Sequence, residues 1–261
     1  MRLLPRRLAY GEEATLVEHL GELRTRVVIC LIAIASAFAV TYAFRDHILD
    51  WLNGPLPDRI QKPVTFGVAE PFTTSIWVAF WSAMLIVLPI VIWQAWAFMA
   101  PAFSEHHQRT MTVLVGMAAL LMVAGVAFGY FVALPAAVKF LTNFDSNQYN
   151  IQIRARDYYS FCTQVLFAVG LVFEIPMIVL GLVQLRILSA AKLRRTWRYG
   201  LALMAVVAVA LPGVDPVTTT FEMIPLMVLY LLSIWAAGIL ERRRKQHDAA
   251  SEAAFLAGGD Y

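Results

Sequence analysis

A carboxylate inside an apolar run is a chemical statement, because lipid offers it no solvent. Glu174 is such a residue, the only formal charge between Tyr158 and Leu185. From Glu174 to Leu185 an α-helix rises about 16 Å, roughly half of a 30 Å hydrocarbon core. An ionised group at that depth costs at least a few kcal/mol, so it is kept for a partner, a cavity or a substrate path. A second set of charges lies in T-L-V-E-H-L-G-E-L-R-T-R, where Glu18 and Glu22 share a helix face and Arg26 follows one turn later. A Glu22–Arg26 pair on a solvated face is worth a few tenths of a kcal/mol. A third cluster, Glu105-His106-His107, resembles metal ligands, but H-E-x-x-H spacing is absent and a solvated turn is the simpler reading. No G-x-x-x-x-G-K-[ST] motif exists, and the apolar runs hold no Ser/His or paired-Asp set for proteolysis. No catalytic residue, metal site or cofactor is expected.

The elements that must position these groups are membrane spans. The chain has 261 residues, 60% hydrophobic and 15% charged. A soluble domain carries about 25% charged residues, so this is a polytopic membrane protein. Uncharged runs predict spans at 27–44, 71–104, 110–138, 158–185, 199–214 and 223–240, giving an all-α domain of six helices over 27–240. The arm 1–26 and the tail 241–261 flank it. Loops on the terminal side hold 15 Lys and Arg against 6 on the other, which places both termini in the cytoplasm. Arg6-Arg7 has no apolar run before Glu12 and Glu13, so the first span is expected to be an uncleaved anchor. Cys30 and Cys162 both fall inside apolar spans and suggest no disulfide framework.

The last two spans read as short, since only 16 uncharged residues separate Arg198 from Asp215. Either the bilayer thins there or the hairpin stops below the outer surface. Four spans carry an internal proline, namely Pro89, Pro135, Pro176 and Pro225. Each withholds an amide from the carbonyl four residues earlier (Leu85, Phe131, Val172 and Phe221), which favours bent helices and a concave wall. Ahead of the first span, Thr15 and Glu18 form a capping box, and Leu16, Leu20, Leu23 and Val27 form an apolar stripe. The small, polar tail after Lys245 predicts disorder.

At these motifs the chain resembles TatC, the receptor subunit of the twin-arginine protein translocase, from about Leu16 to Leu240. H-L-G-E-L-R-T-R at 19–26 is similar to the family's H-L-x-E-L-R-x-R. G-P-L at 54–56 and A-E-P-F at 69–72 match the first external loop and the start of the second span. Q-A-W-A-F-M-A-P-A at 94–102, F-E-I-P at 173–176 and P-G-V-D-P at 212–216 complete the series in order.

The resemblance implies a receptor rather than an enzyme, one that binds the paired arginines of a signal peptide on folded cargo. It implies work with TatA-like and TatB-like single-span partners, self-association in a plasma-membrane complex and drive from the proton-motive force, with no nucleic acid. It carries Glu22, Arg24, Phe98, Glu105 and His107 to the signal-peptide site. Glu174 becomes an intramembrane polar site, and Pro55 and Asp215 mark an external loop and turn. The family's loop glutamate falls on His107, with Glu105 two residues earlier. Either Glu105 supplies the second carboxylate, or Glu22 acts with other groups. Arginine cannot be deprotonated and pairs bidentately with carboxylates, so such a ligand suits acidic groups at the cytoplasmic face. Two other classes stand beside this one: a proton-coupled small-solute transporter with Glu174 as relay, and a structural membrane scaffold. Paired broken helices in an internal repeat would favour the transporter, and none is visible.

Overall fold

Backbone amides in lipid find partners only within their own segment, so apolar runs of this length fold as helices. The computed structural model describes residues 16–57, 62–99, 108–144, 148, 151–184, 187–211 and 215–257. Its helices are α1 (Leu16–Ala43), α2 (Arg45–Leu52), α3 (Glu70–Met99), α4 (Gln108–Phe128) and α5 (Leu134–Asn143). They continue with α6 (Ala155–Val172), α7 (Ile175–Gln184), α8 (Ala190–Arg195), α9 (Trp197–Ala210) and α10 (Pro216–Ala257). Among the described residues the one β-type contact is an isolated parallel bridge between Val64 and Arg154. The fold is all-α, as expected.

Five helical stretches are long and apolar enough to cross a bilayer: His19–Ala43, Glu70–Ala95, Gly116–Asn143, Ala155–Gln184 and Pro216–Arg242. The sixth, α9, has only 14 residues, or about 21 Å. The expected shortness therefore belongs to α9 alone. Glu222 had marked the edge of the last span, yet it lies inside α10, which starts at Pro216. The expected boundary at 26/27 is not a break either, since α1 runs unbroken from the arm into the first span. Thr15, the proposed helix cap, lies outside the described residues.

A disordered tail from 241 is corrected as well: α10 stays helical through Ala257. Glu241 accepts the Ala190 amide at 2.8 Å, tying the start of α8 to α10, and pairs with Lys245 one turn on at 3.2 Å. The A-A-S-E-A-A stretch beyond is a good helix former.

Two of the four prolines interrupt their helices and two do not. Pro89 and Pro225 lie within the continuous α3 and α10. Before Pro135 the chain makes a π turn over Gly129–Ala133, which contains Phe131, the residue whose carbonyl the proline leaves without a donor. Pro176 follows a break between α6 and α7 at Phe173 and Glu174.

The core has two centres. One gathers α7, α8, α9 and α10 around Met177, Leu226, Tyr230 and Ala208. The other joins α2, α3, α5 and α6 around Leu52, Val78, Leu134 and Cys162. Burial follows this plan: 72% of the apolar window of the fourth span is buried, against 6% of the first. The first span thus hangs on one neighbour, α3, and offers the rest of its surface to lipid.

Candidate functional site

The start of α1 and the end of α3 carry the first cluster. The two helices run antiparallel in one register along their length. Thr41 donates to the Ala79 carbonyl at 2.8 Å, and 15 residues nearer the start of α1 Arg26 Nη1 donates to Gln94 Oε1 at 3.1 Å. The same register sets Glu22 level with Phe98. His19, one turn before, stacks on Phe98 with ring centroids 4.3 Å apart. His19, Glu22 and Arg26 thus form the face that α1 turns toward α3.

Arg26 is the hub of this face. Its Nε donates to Glu22 Oε1 at 3.1 Å, and its Nη2 reaches both Glu22 Oε1 and, at 2.9 Å, the Ala97 carbonyl. The Glu22–Arg26 pair expected from spacing does form. It is not a solvent-washed surface pair, because both side chains are only about one-fifth exposed and are tied to a second helix. Both Arg26 bonds fall on one carboxylate oxygen. Among the described residues, Oε2 of Glu22 has no partner, and a carboxylate oxygen accepts two hydrogen bonds. Arg24 is exposed, on a different face from Arg26. Glu105 and His107 lie outside the described residues. Reading by motif missed Arg26 and Gln94 as a latch between helices, although both stand inside the quoted motifs.

The second site is intramembrane. Glu174 closes the break between α6 and α7, with its own amide on the Leu171 carbonyl and its carbonyl on the Ile178 amide. Phe173 is seated against Gly125 of α4, where an added Cβ would stand 2.8 Å from the ring. That close approach fixes the turn from which Glu174 projects. Its side chain is 1% exposed, and among the described residues neither carboxylate oxygen has a hydrogen-bond donor. Glu222 of α10 is buried to the same degree with both oxygens equally unpartnered. Sequence reading missed it because a charge beside an external turn looks like the edge of a span.

The external markers are structural in geometry. Tyr130 stacks on Trp51 at 3.7 Å and donates its hydroxyl to the Trp51 carbonyl at 2.8 Å. A Cβ at Gly54 would meet that hydroxyl at 2.5 Å, so a larger residue in the turn carrying Pro55 would have to displace the Tyr130 ring from Trp51. Asp215 caps α10, accepting the amides of Val217 at 3.1 Å and Thr218 at 2.8 Å as well as the Thr218 hydroxyl.

Residues 18–225 match the model of the family described as Sec-independent protein translocase protein (TatC). The chain belongs to the TatC family. It is 31% identical to the TatC of Magnetococcus marinus over 94% of this chain and 92% of that one. With the TatC of Campylobacter jejuni it shares 34% over 83% and 90%. A crystal structure described as the twin-arginine translocase receptor TatC superposes with a TM-score of 0.75 at 27% identity, covering 84% of this chain and 99% of that one. The motif series in the sequence and the six-helix fold therefore point the same way. The chain is a multi-pass membrane protein of a protein-transport family, and membership argues against the solute-transporter and scaffold readings.

Proposed function

We propose that this chain is the signal-peptide receptor of a twin-arginine translocase, and that the paired arginines dock at the cytoplasmic ends of α1 and α3. The observation that carries this is the half-used carboxylate of Glu22. Arg26 occupies one oxygen and holds the group rigid, while the other oxygen keeps its acceptor capacity. A guanidinium on a peptide can add to that oxygen without displacing Arg26. Phe98 borders the same surface, Arg24 stands on another face of α1, and either Glu105 supplies the second carboxylate or Glu22 acts with other groups. Glu174 then serves a later contact, hydrogen-bonding a signal peptide or partner helix inside the bundle. Both termini face the cytoplasm, the membrane is the plasma membrane, TatA-like and TatB-like single-span proteins are the partners, copies of the receptor associate, and the proton-motive force drives transport.

Cross-linking a twin-arginine signal peptide to the membrane-embedded protein tests the site. Glu22→Gln keeps shape and the Arg26 contact but removes charge. A charge-assisted bond is worth about 1.5–3 kcal/mol, so binding is expected to weaken by about tenfold or more and export with it. Unchanged cross-linking in Glu22→Gln would leave Glu22 as a structural partner of Arg26 only.

A further inference from the structure

We propose that Glu222 is a proton-binding site in the outer half of the bundle, distinct from the Glu174 position. The inference rests on what surrounds the group and is independent of the signal-peptide reading.

Asp215, Thr218, Glu222 and Leu226 lie at spacings of three and four and form one buried face of α10. Glu222 stands six residues inside the helix, about 9 Å below its start. No group on this face can donate to it. The Thr218 hydroxyl is committed to Asp215, and Asp215 is itself an acceptor already bonded to two amides. Pro225 has no amide hydrogen to give the Phe221 carbonyl, so this turn supplies a further acceptor rather than a donor.

Among the described residues the neighbouring elements bring no cation against Glu222. α7 has no ionisable residue. Close approaches of Gly200 to Tyr230 and of Gly238 to Arg194 fix the antiparallel register of α10 against α8 and α9. That register sets Glu222 level with Ala208, so Arg198 and Tyr199 lie roughly 14 Å or more away along the helix. Lys192, Arg194 and Arg195 are farther still, at the cytoplasmic end. On the π turn, Tyr130 spends its hydroxyl on Trp51. On α5, Lys139 is exposed and lines an outer groove. Among the described residues no cluster of three metal-ligating side chains exists.

An ionised Glu222 would therefore be buried, without a partner among the described residues and on the same face as a second carboxylate, a combination that disfavours the charge. A proton removes that charge and turns Glu222 into a donor among acceptors. A groove of about 530 Å³ lies between α5 and the first turns of α10, lined by Lys139, Asn143, Val217 and Phe221, and Glu222 stands beside Phe221 on the buried face rather than in its wall.

Infrared spectroscopy of the full chain in lipid nanodiscs tests this. In a Glu174→Gln background at neutral pH, a protonated-carboxyl C=O band is expected to remain, and its absence would overturn the proposal. Adding Glu222→Gln should remove the band, and a band that survives would assign it elsewhere and overturn the proposal as well. Asp215→Asn keeps the helix cap but removes the like charge. In the Glu174→Gln background it should move the midpoint of the band to lower pH, a shift that a purely structural Glu222 would not show.

Discussion

Glu70 at the rim of the bundle, where α3 starts, and Glu174 within it are both buried carboxylates, at 6% and 1% exposure, and they are treated in opposite ways. Glu70 accepts from the amides of Phe66 and Gly67, from Arg154 Nε at 2.9 Å and Nη2 at 3.3 Å, and from the Arg156 amide at 3.4 Å. Together with the Val64–Arg154 bridge it staples the loop before α3 to the loop before α6. The same hydrogen bonds hold the Arg154 guanidinium above its ordinary pKa. Glu174 accepts from no described residue through its side chain. A carboxylate with a full set of donors stabilises the fold. One with none costs the fold free energy, so its retention speaks for a role outside stability.

The contrast is broken most sharply at the rim. Glu70→Ala leaves the Arg154 guanidinium and three amides without their acceptor, and both outer loops lose their tie. Thermal unfolding in detergent should move down by about 5 °C or more. Glu70→Gln should fall between, because it keeps acceptor capacity for the amides and loses the ion pair. An unchanged Tm in Glu70→Ala would mean that the staple is not part of what limits stability.

Much of this was legible in the sequence, and the gaps have physical causes. Uncharged runs showed the six helices because a bilayer admits little else. Glu22 and Glu174 stood out because a charge in an apolar or amphipathic setting breaks a simple pattern. What the pattern hid was direction. Arg26 read as a surface residue, since i,i+4 spacing shows which side chains meet but not which helix lies opposite. Glu222 read as a loop charge, since a hydropathy run ends at any acid whether or not the helix does. The helical tail was hidden by composition, because small polar residues suit a helix as well as a coil once the preceding turn is held.

A smaller effect separates Asp215 from Glu70 although both cap an outer structure. Asp215 serves one helix end, through Val217 and Thr218, and joins no second element. Loss of such a cap costs about 1 kcal/mol. Asp215→Ala is therefore expected to lower stability by about that amount, and Asp215→Asn by less than half of it. Equal losses in the two variants would show that charge, rather than hydrogen bonding, carries the effect.

The smallest change in stability is expected where burial is deepest. Glu174→Leu removes no hydrogen bond, because the carboxylate makes none, and it replaces a polar group by an apolar one of similar length. Such swaps are near neutral or stabilising, so Tm should hold or rise. Export of a twin-arginine cargo should nevertheless fall clearly, and by more than in Asp215→Ala, which is less stable. That inversion of stability and activity is the signature of a group kept for function. Normal export in Glu174→Leu would make a role for the intramembrane carboxyl untenable. A large loss of Tm would instead show that Glu174 has a donor in the folded protein, and it would then belong with Glu70.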